Sequence, residues 1–186
     1  MFNPYKDNPL ECILYKYYEM NSPMPHNVVT TNLNITMKII KKYLYLDFLT
    51  YGLNRNWHMG RLSSLISLDE IEENLQYHWN WYIISTRQDL TFDFVKRLIN
   101  KYNQFDFDAL SSHRAIPIEY MIEHYYMDWD WNIVSLYKKL SIEIINNNKH
   151  ISWKWQNILQ NDYTDITLIK YFLENNYKDF TNIKTH

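Results

Sequence analysis

A pair of tryptophans separated by one residue recurs along this chain, and such a recurrence constrains the fold more than any other feature of the sequence. The pairs are Trp79-Asn80-Trp81, Trp129-Asp130-Trp131 and Trp153-Lys154-Trp155. Phe105-Asp106-Phe107 takes the same place between the first two, and Trp57-His58-Met59 precedes them. Successive anchors lie 22, 26, 24 and 24 residues apart, and all seven tryptophans of the chain fall on the pattern.

Two further positions keep this register. An aliphatic and a small hydroxyl residue follow each anchor by five or six residues, as Leu62-Ser63, Ile84-Ser85, Leu110-Ser111 and Val134-Ser135, degenerating to Ile158-Leu159. Later comes an aliphatic with Thr, Pro or Ser and then an acid: Leu90-Thr91-Phe92-Asp93, Ile116-Pro117-Ile118-Glu119 and Leu140-Ser141-Ile142-Glu143. Ile66-Ser67-Leu68-Asp69 comes slightly early and Ile166-Thr167 slightly late.

One copy reads as an α-helical hairpin. The anchor opens a first helix in which Trp81, Ile84 and Ser85 share a face at i, i+3 and i+4. Thr91, Ser141, Thr36 and Thr167 are N-cap residues, Pro117 suits a first helical turn, and the acid behind them favours the positive end of the helix dipole. Apolar residues then recur at helical spacing, as Phe92, Val95, Leu98, Ile99 and Tyr102, or Ile118, Met121, Ile122 and Tyr125, which predicts second helices of about three turns. A hairpin of this size cannot bury both faces alone, so stacked copies must share a core. The prediction is an all-α solenoid of about five to six units of roughly 24 residues, with the tryptophans as mortar between repeats.

The whole chain, 1–186, is expected to be one repeat domain. Residues 1–23 read as an N-terminal capping half-unit. Residues 24–56 read as a degenerate unit, with Met24-Pro25-His26 as anchor, Val29-Thr30 and Ile35-Thr36 in register, and an insertion around 41–56. Residues 57–176 are the regular repeats and 177–186 a C-terminal tail.

The anchor pattern, the Leu-Ser step and the Ile-Thr-x-Glu-like step, within a chain rich in Asn, Ile, Lys and Tyr, resemble the short tandem-repeat proteins of giant AT-rich DNA viruses of amoebae, the mimivirus relatives especially. The likeness covers about Met24 to Phe180 and is strongest from Trp79 to Trp155; Phe105, Phe107 and Leu159 depart from it. It implies an all-helical repeat fold and a viral origin, with a location in the host cytoplasm, the viral factory or the virion. It brings no assigned reaction or catalytic residue.

Composition narrows the function. With 19 Lys and Arg against 21 Asp and Glu, the net charge of −2 gives no bulk argument for nucleic-acid binding. A mean hydropathy of −0.49, with no apolar run near the roughly 18–20 residues that span a bilayer, predicts a soluble protein. No basic and apolar leader is visible at the start, so secretion is not expected. Cys12 is the single cysteine and can form neither an internal disulfide nor a cysteine metal cluster. The histidines show no ligand spacing, and the two glycines, Gly52 and Gly60, cannot build a phosphate loop. No metal, cofactor, membrane or small-molecule substrate is expected.

Repetition also filters chemistry, because a residue type that returns in every unit serves stacking rather than catalysis. Ser63, Ser85, Ser111 and Ser135 are therefore read as packing or back-bonding residues. The structural anchors are Trp57, Trp79, Trp81, Phe105, Phe107, Trp129, Trp131, Trp153 and Trp155. The non-repetitive signal lies on the turns between first and second helices, where Arg87, Arg114, Lys138 and Lys139, with His113 and Tyr137 interleaved, would line one edge of a solenoid. That edge is the candidate contact surface for a partner protein or, alternatively, for RNA or DNA. A second basic cluster, Lys38, Lys41 and Lys42, reads as a solvated helix face. The leading expectation is a non-enzymatic scaffold binding another protein; the alternatives are nucleic-acid binding and a structural or self-assembling virion component.

Overall fold

Short helices with well-made ends account for the described part of this chain. The computed structural model describes residues 9–20, 29, 32–33, 35–42, 58–101 and 104–175, and every regular element among them is helical, with no strand. Helix α1 spans Pro9–Glu19 and a helical stretch covers 37–42. Then follow α2 (Met59–Leu65), α3 (Leu68–Glu72), α4 (Trp81–Ser85), α5 (Phe92–Leu98), α6 (Phe107–Ser112), α7 (Ile118–Glu123), α8 (Trp131–Tyr137), α9 (Ile142–Asn147), α10 (Trp155–Gln160) and α11 (Ile166–Asn175). Trp57, the Met24-Pro25-His26 segment, Thr30, Tyr102, most of the expected insertion and the 177–186 tail lie outside the described residues.

The first helices begin at the middle residue of each anchor. Asn80 and Asp106 cap α4 and α6 by accepting the N–H of Ile83 at 3.1 Å and of Ala109 at 2.7 Å. Asp130 caps α8 through the N–H groups of Asn132 and Ile133, and Nδ1 of His58 caps α2 from Arg61. Each satisfies donors that a helix start would otherwise leave open. Lys154, in the same place before α10, makes no side-chain cap.

The second helices begin at Ser67, Thr91, Pro117 and Ser141, and the Ser67 hydroxyl both accepts the Glu70 N–H and donates to the Glu70 carboxylate. Thr36 likewise accepts the Ile39 N–H at the 37–42 stretch. Three expectations are corrected. Pro117 stands at the N-cap and not inside the first turn. Thr167 lies inside α11, whose start is capped by the Asp165 carboxylate from Thr167 and Leu168. The second helices from α3 to α9 are five to seven residues long, not three turns. Because α7 stops at Glu123, Tyr125 falls beyond it and is exposed, while Tyr120 is buried.

The chain divides between Arg87 and Gln88 into two compact units. In the first, α2 packs on α4, and Lys42 bridges to Glu11 of α1 at 2.7 Å while Lys38 and Lys41 are exposed. Cys12 is a half-buried free thiol. In the second, α6 packs on α8, α8 on α10 and α9 on α11. The core there is Leu90, Phe94, Val95, Leu98, Leu110, Ile116, Met121, Val134, Ile158 and Leu168.

The anchors meet one another. Phe107 packs edge-on against Trp129 with ring centroids 5.0 Å apart, and Trp131 meets Trp153 in the same way at 5.4 Å. The second ring of one anchor thus faces the first ring of the next, a geometry aromatic quadrupoles favour. After the last anchor, Trp155 stacks on Tyr171 and packs against Phe172 instead. The first tryptophan of each pair is also a hydrogen-bond donor. The indole N–H of Trp79, Trp129 and Trp153 donates to the carbonyl of Asn74, His124 and Asn148, each at 2.9 Å. Those carbonyls lie at or just past the ends of second helices, where intrahelical donors run out.

Candidate functional site

The turns between first and second helices carry the candidate contact residues, and their geometry follows from how short helices end. A helix of five to seven residues leaves most of its carbonyls without an intrahelical donor. In the first unit, Arg87 Nη1 donates to the carbonyls of Ser63, at 3.0 Å, and Ile66, at 2.5 Å. In the second, Lys138 Nζ donates to His113 O at 2.5 Å and Ile116 O at 2.8 Å. Asn161 Nδ2 donates to Ser135 O at 3.0 Å and Lys138 O at 2.7 Å. Each of these turns therefore sends one nitrogen back to two carbonyls of the preceding turn. Arg, Lys and Asn interchange because the requirement is for N–H donors and not for charge.

This places the predicted residues in two groups. Lys138 is 7% exposed, and burial pushes its amine down to about 8. Lys138 is thus corrected from an edge residue to an internal strut, and half-buried Arg87 plays the same part within the other unit. His113 is half-buried, its Nδ1 accepting the Ala115 N–H. Arg114, Tyr137 and Lys139 are exposed or partly so, with Arg114 Nη2 reaching Gln88 O at 3.4 Å.

The second group shares one open groove of about 580 Å³. Three successive turns, around 112–118, 136–139 and 161–163, form its walls. Arg114 and Lys139 supply exposed positive charge, Asp162 one negative charge, and Tyr137 and Tyr163 are 56% and 59% exposed. Lys138 forms part of the wall with its ammonium already engaged.

A second set of bonds was not foreseen from the sequence. The hydroxyl oxygen of Ser63 accepts the Asn80 N–H at 2.8 Å, that of Ser111 the Asp130 N–H at 2.9 Å, and that of Ser135 the Lys154 N–H at 3.1 Å. All three serines are fully buried. The hydroxyl of Ser63 also donates to Met59 O four residues back, the back-bond expected of a helical serine. A clue was present: the serine recurs 17 to 19 residues before a residue whose N–H, as N-cap, has no helical partner.

Among the described residues no three His, Cys, Asp or Glu side chains converge as a metal site requires, and no helix is long and apolar enough to cross a membrane. No protein-family model matches the chain, and neither the curated proteins nor the solved structures yield a match.

Proposed function

We propose that this chain is a non-enzymatic helical-repeat scaffold, its hairpins stacked as a solenoid, that binds another protein. The observation that carries this reading is the internal use of the recurring polar positions. The buried serines, the indole N–H groups and the turn nitrogens satisfy backbone groups of neighbouring turns. Among the large side chains left outside are tyrosines that do not recur in register: Tyr82, Tyr125, Tyr126, Tyr137 and Tyr163 are each more than half exposed. Tyrosine gives large contact area with little entropy to lose, which suits a protein-binding surface. Internal use of Arg87 and Lys138 weakens the nucleic-acid alternative, which needs a run of cations free to meet phosphates. The resemblance to repeat proteins of giant amoebal viruses supports a viral origin.

Affinity capture of the tagged chain from infected amoebae, with nuclease-treated and untreated halves compared by mass spectrometry, tests this. One or two stoichiometric proteins surviving nuclease are expected. Loss of all captured material on nuclease treatment would overturn the reading in favour of nucleic acid.

A further inference from the structure

The groove across the three turns has a chemistry more specific than a general binding face. Its exposed cations, Arg114 and Lys139, stand on successive turns, and Tyr137 and Tyr163 are exposed with them. Its volume of about 580 Å³ is in the range of specific ligand sites. We infer that this groove docks an extended acidic peptide segment of a partner protein, with its carboxylates on Arg114 and Lys139 and its apolar atoms against the two tyrosine rings. The inference rests on the scaffold reading above and names the surface through which it acts.

Three observations choose this occupant. The groove is open and walled by three turns of chain rather than the closed cup that a small anion needs. Arg114, whose Nη2 reaches Gln88 O at 3.4 Å, keeps further N–H donors for a carboxylate, and Lys139 adds a charge on the next turn. The tyrosines present ring faces for side-chain contact and hydroxyls for the carbonyls of an extended backbone. A nucleic-acid strand fits less well, because Asp162 interrupts the positive wall and the Lys138 ammonium is already bound to two carbonyls.

The test is a titration of the isotope-labelled full chain, followed by NMR, with an oligo-glutamate peptide, an oligo-lysine peptide and an oligo-thymidylate strand as probes. Oligo-glutamate should move the amide resonances of Arg114, Tyr137, Lys139 and Tyr163 saturably, and oligo-lysine should not. Arg114→Glu with Lys139→Glu should weaken that binding about tenfold or more, and the affinity should fall with salt. Because both side chains reach solvent, the variant should keep the parent's circular dichroism; Arg114→Gln with Lys139→Gln gives a milder second variant with an intermediate loss. Shifts that fall elsewhere, or are unaffected by charge reversal, would overturn the inference. So would tighter saturation of the same residues by oligo-thymidylate. Repeating the affinity capture with the charge-reversed chain separates the two levels: a nuclease-resistant partner that it still retains leaves the scaffold reading standing and removes the groove.

Discussion

The hydroxyl oxygen of Ser111 accepts the backbone N–H of Asp130 at 2.9 Å, and Asp130 in turn caps the helix that this N–H precedes. One buried oxygen thus ties the end of α6 to the start of α8. Removing it strands a polar group, which costs about 1–3 kcal/mol. Ser111→Ala should lower stability in chemical denaturation by that amount. Ser112→Ala, at an exposed position beside it, should change it by less than about 0.5 kcal/mol.

Lys154 adopts φ −103° and ψ 94°, close to the −80° and 100° of Asp130, yet caps nothing. The backbone is already shaped for a cap, so only an acceptor is missing. Lys154→Asn should therefore stabilise the chain by about 0.5–1 kcal/mol, read as a raised denaturation midpoint. Asparagine is the better test than aspartate, since it places no second carboxylate near that of Asp130. Partial burial pulls the Asp130 carboxyl upward, but the N–H bonds from Ile133 and Asn132, with the Lys154 charge behind them, outweigh it and hold the group below its ordinary value; Lys154→Asn should relax part of that lowering. The cap of Asp130 is accordingly kept at neutral pH and lost only as pH falls below the usual aspartate range.

Lys138 gives the fold an alkaline signature. Its amine is held at about 8 in the folded chain and at about 10.4 in the unfolded one, so between these values the unfolded state binds the extra proton. Stability from this group must then rise with pH from about 8 to about 10, by at most about 1.4 kcal/mol per unit. Lys138→Met carries no titrating group and Lys138→Arg stays charged, so both should lack the rise. Burial raises the Tyr120 phenol and has the opposite sign above pH 10. Comparing each variant with the parent at every pH cancels that contribution. A rise of equal slope in the variants would refute the assignment.

Trp153 donates its indole N–H to Asn148 O and meets Trp131 edge-on. Trp153→Phe keeps a ring but removes the donor; Asn148 O keeps the Ile151 N–H, so about 0.5–1.5 kcal/mol should be lost in denaturant unfolding. Phe105 stands at the corresponding position with no N–H to give, so Phe105→Leu should lose ring packing alone.

The helical character of this chain was legible from caps such as Thr91 and Ser141 and the apolar spacing behind them, and the contact between successive anchors from the recurrence of Trp129, Trp131 and Trp153, because a large ring at fixed spacing has few alternatives to a shared core. Helix lengths were not. An apolar period continues through Tyr125 in the sequence, whereas α7 stops at Glu123 and leaves that ring exposed. The inward turn of Lys138 was hidden for a related reason. A lysine in a polar turn is ordinarily solvated, and here the His113 and Ile116 carbonyls just past the end of a short helix draw it inside. Asn80, Asp106 and Asp130 were readable as caps from residue type, but the flanking tryptophans dominated the pattern. Of the expected edge, Arg114, Tyr137 and Lys139 do share one groove, while Lys138 supports it from beneath.

Amide hydrogen exchange at Asn80, Asp130 and Lys154 tests the central claim most directly, namely that the buried Ser63, Ser111 and Ser135 fasten α2, α6 and α8 to the starts of α4, α8 and α10. These N–H groups precede their helices and have no partner in the helical ladder, so without the serine oxygens they would exchange quickly. All three should be protected, and Ser111→Ala should release Asp130 while leaving Lys154 slow. Rapid exchange at all three in the unmodified chain, or protection at Asp130 that survives Ser111→Ala, would contradict the account.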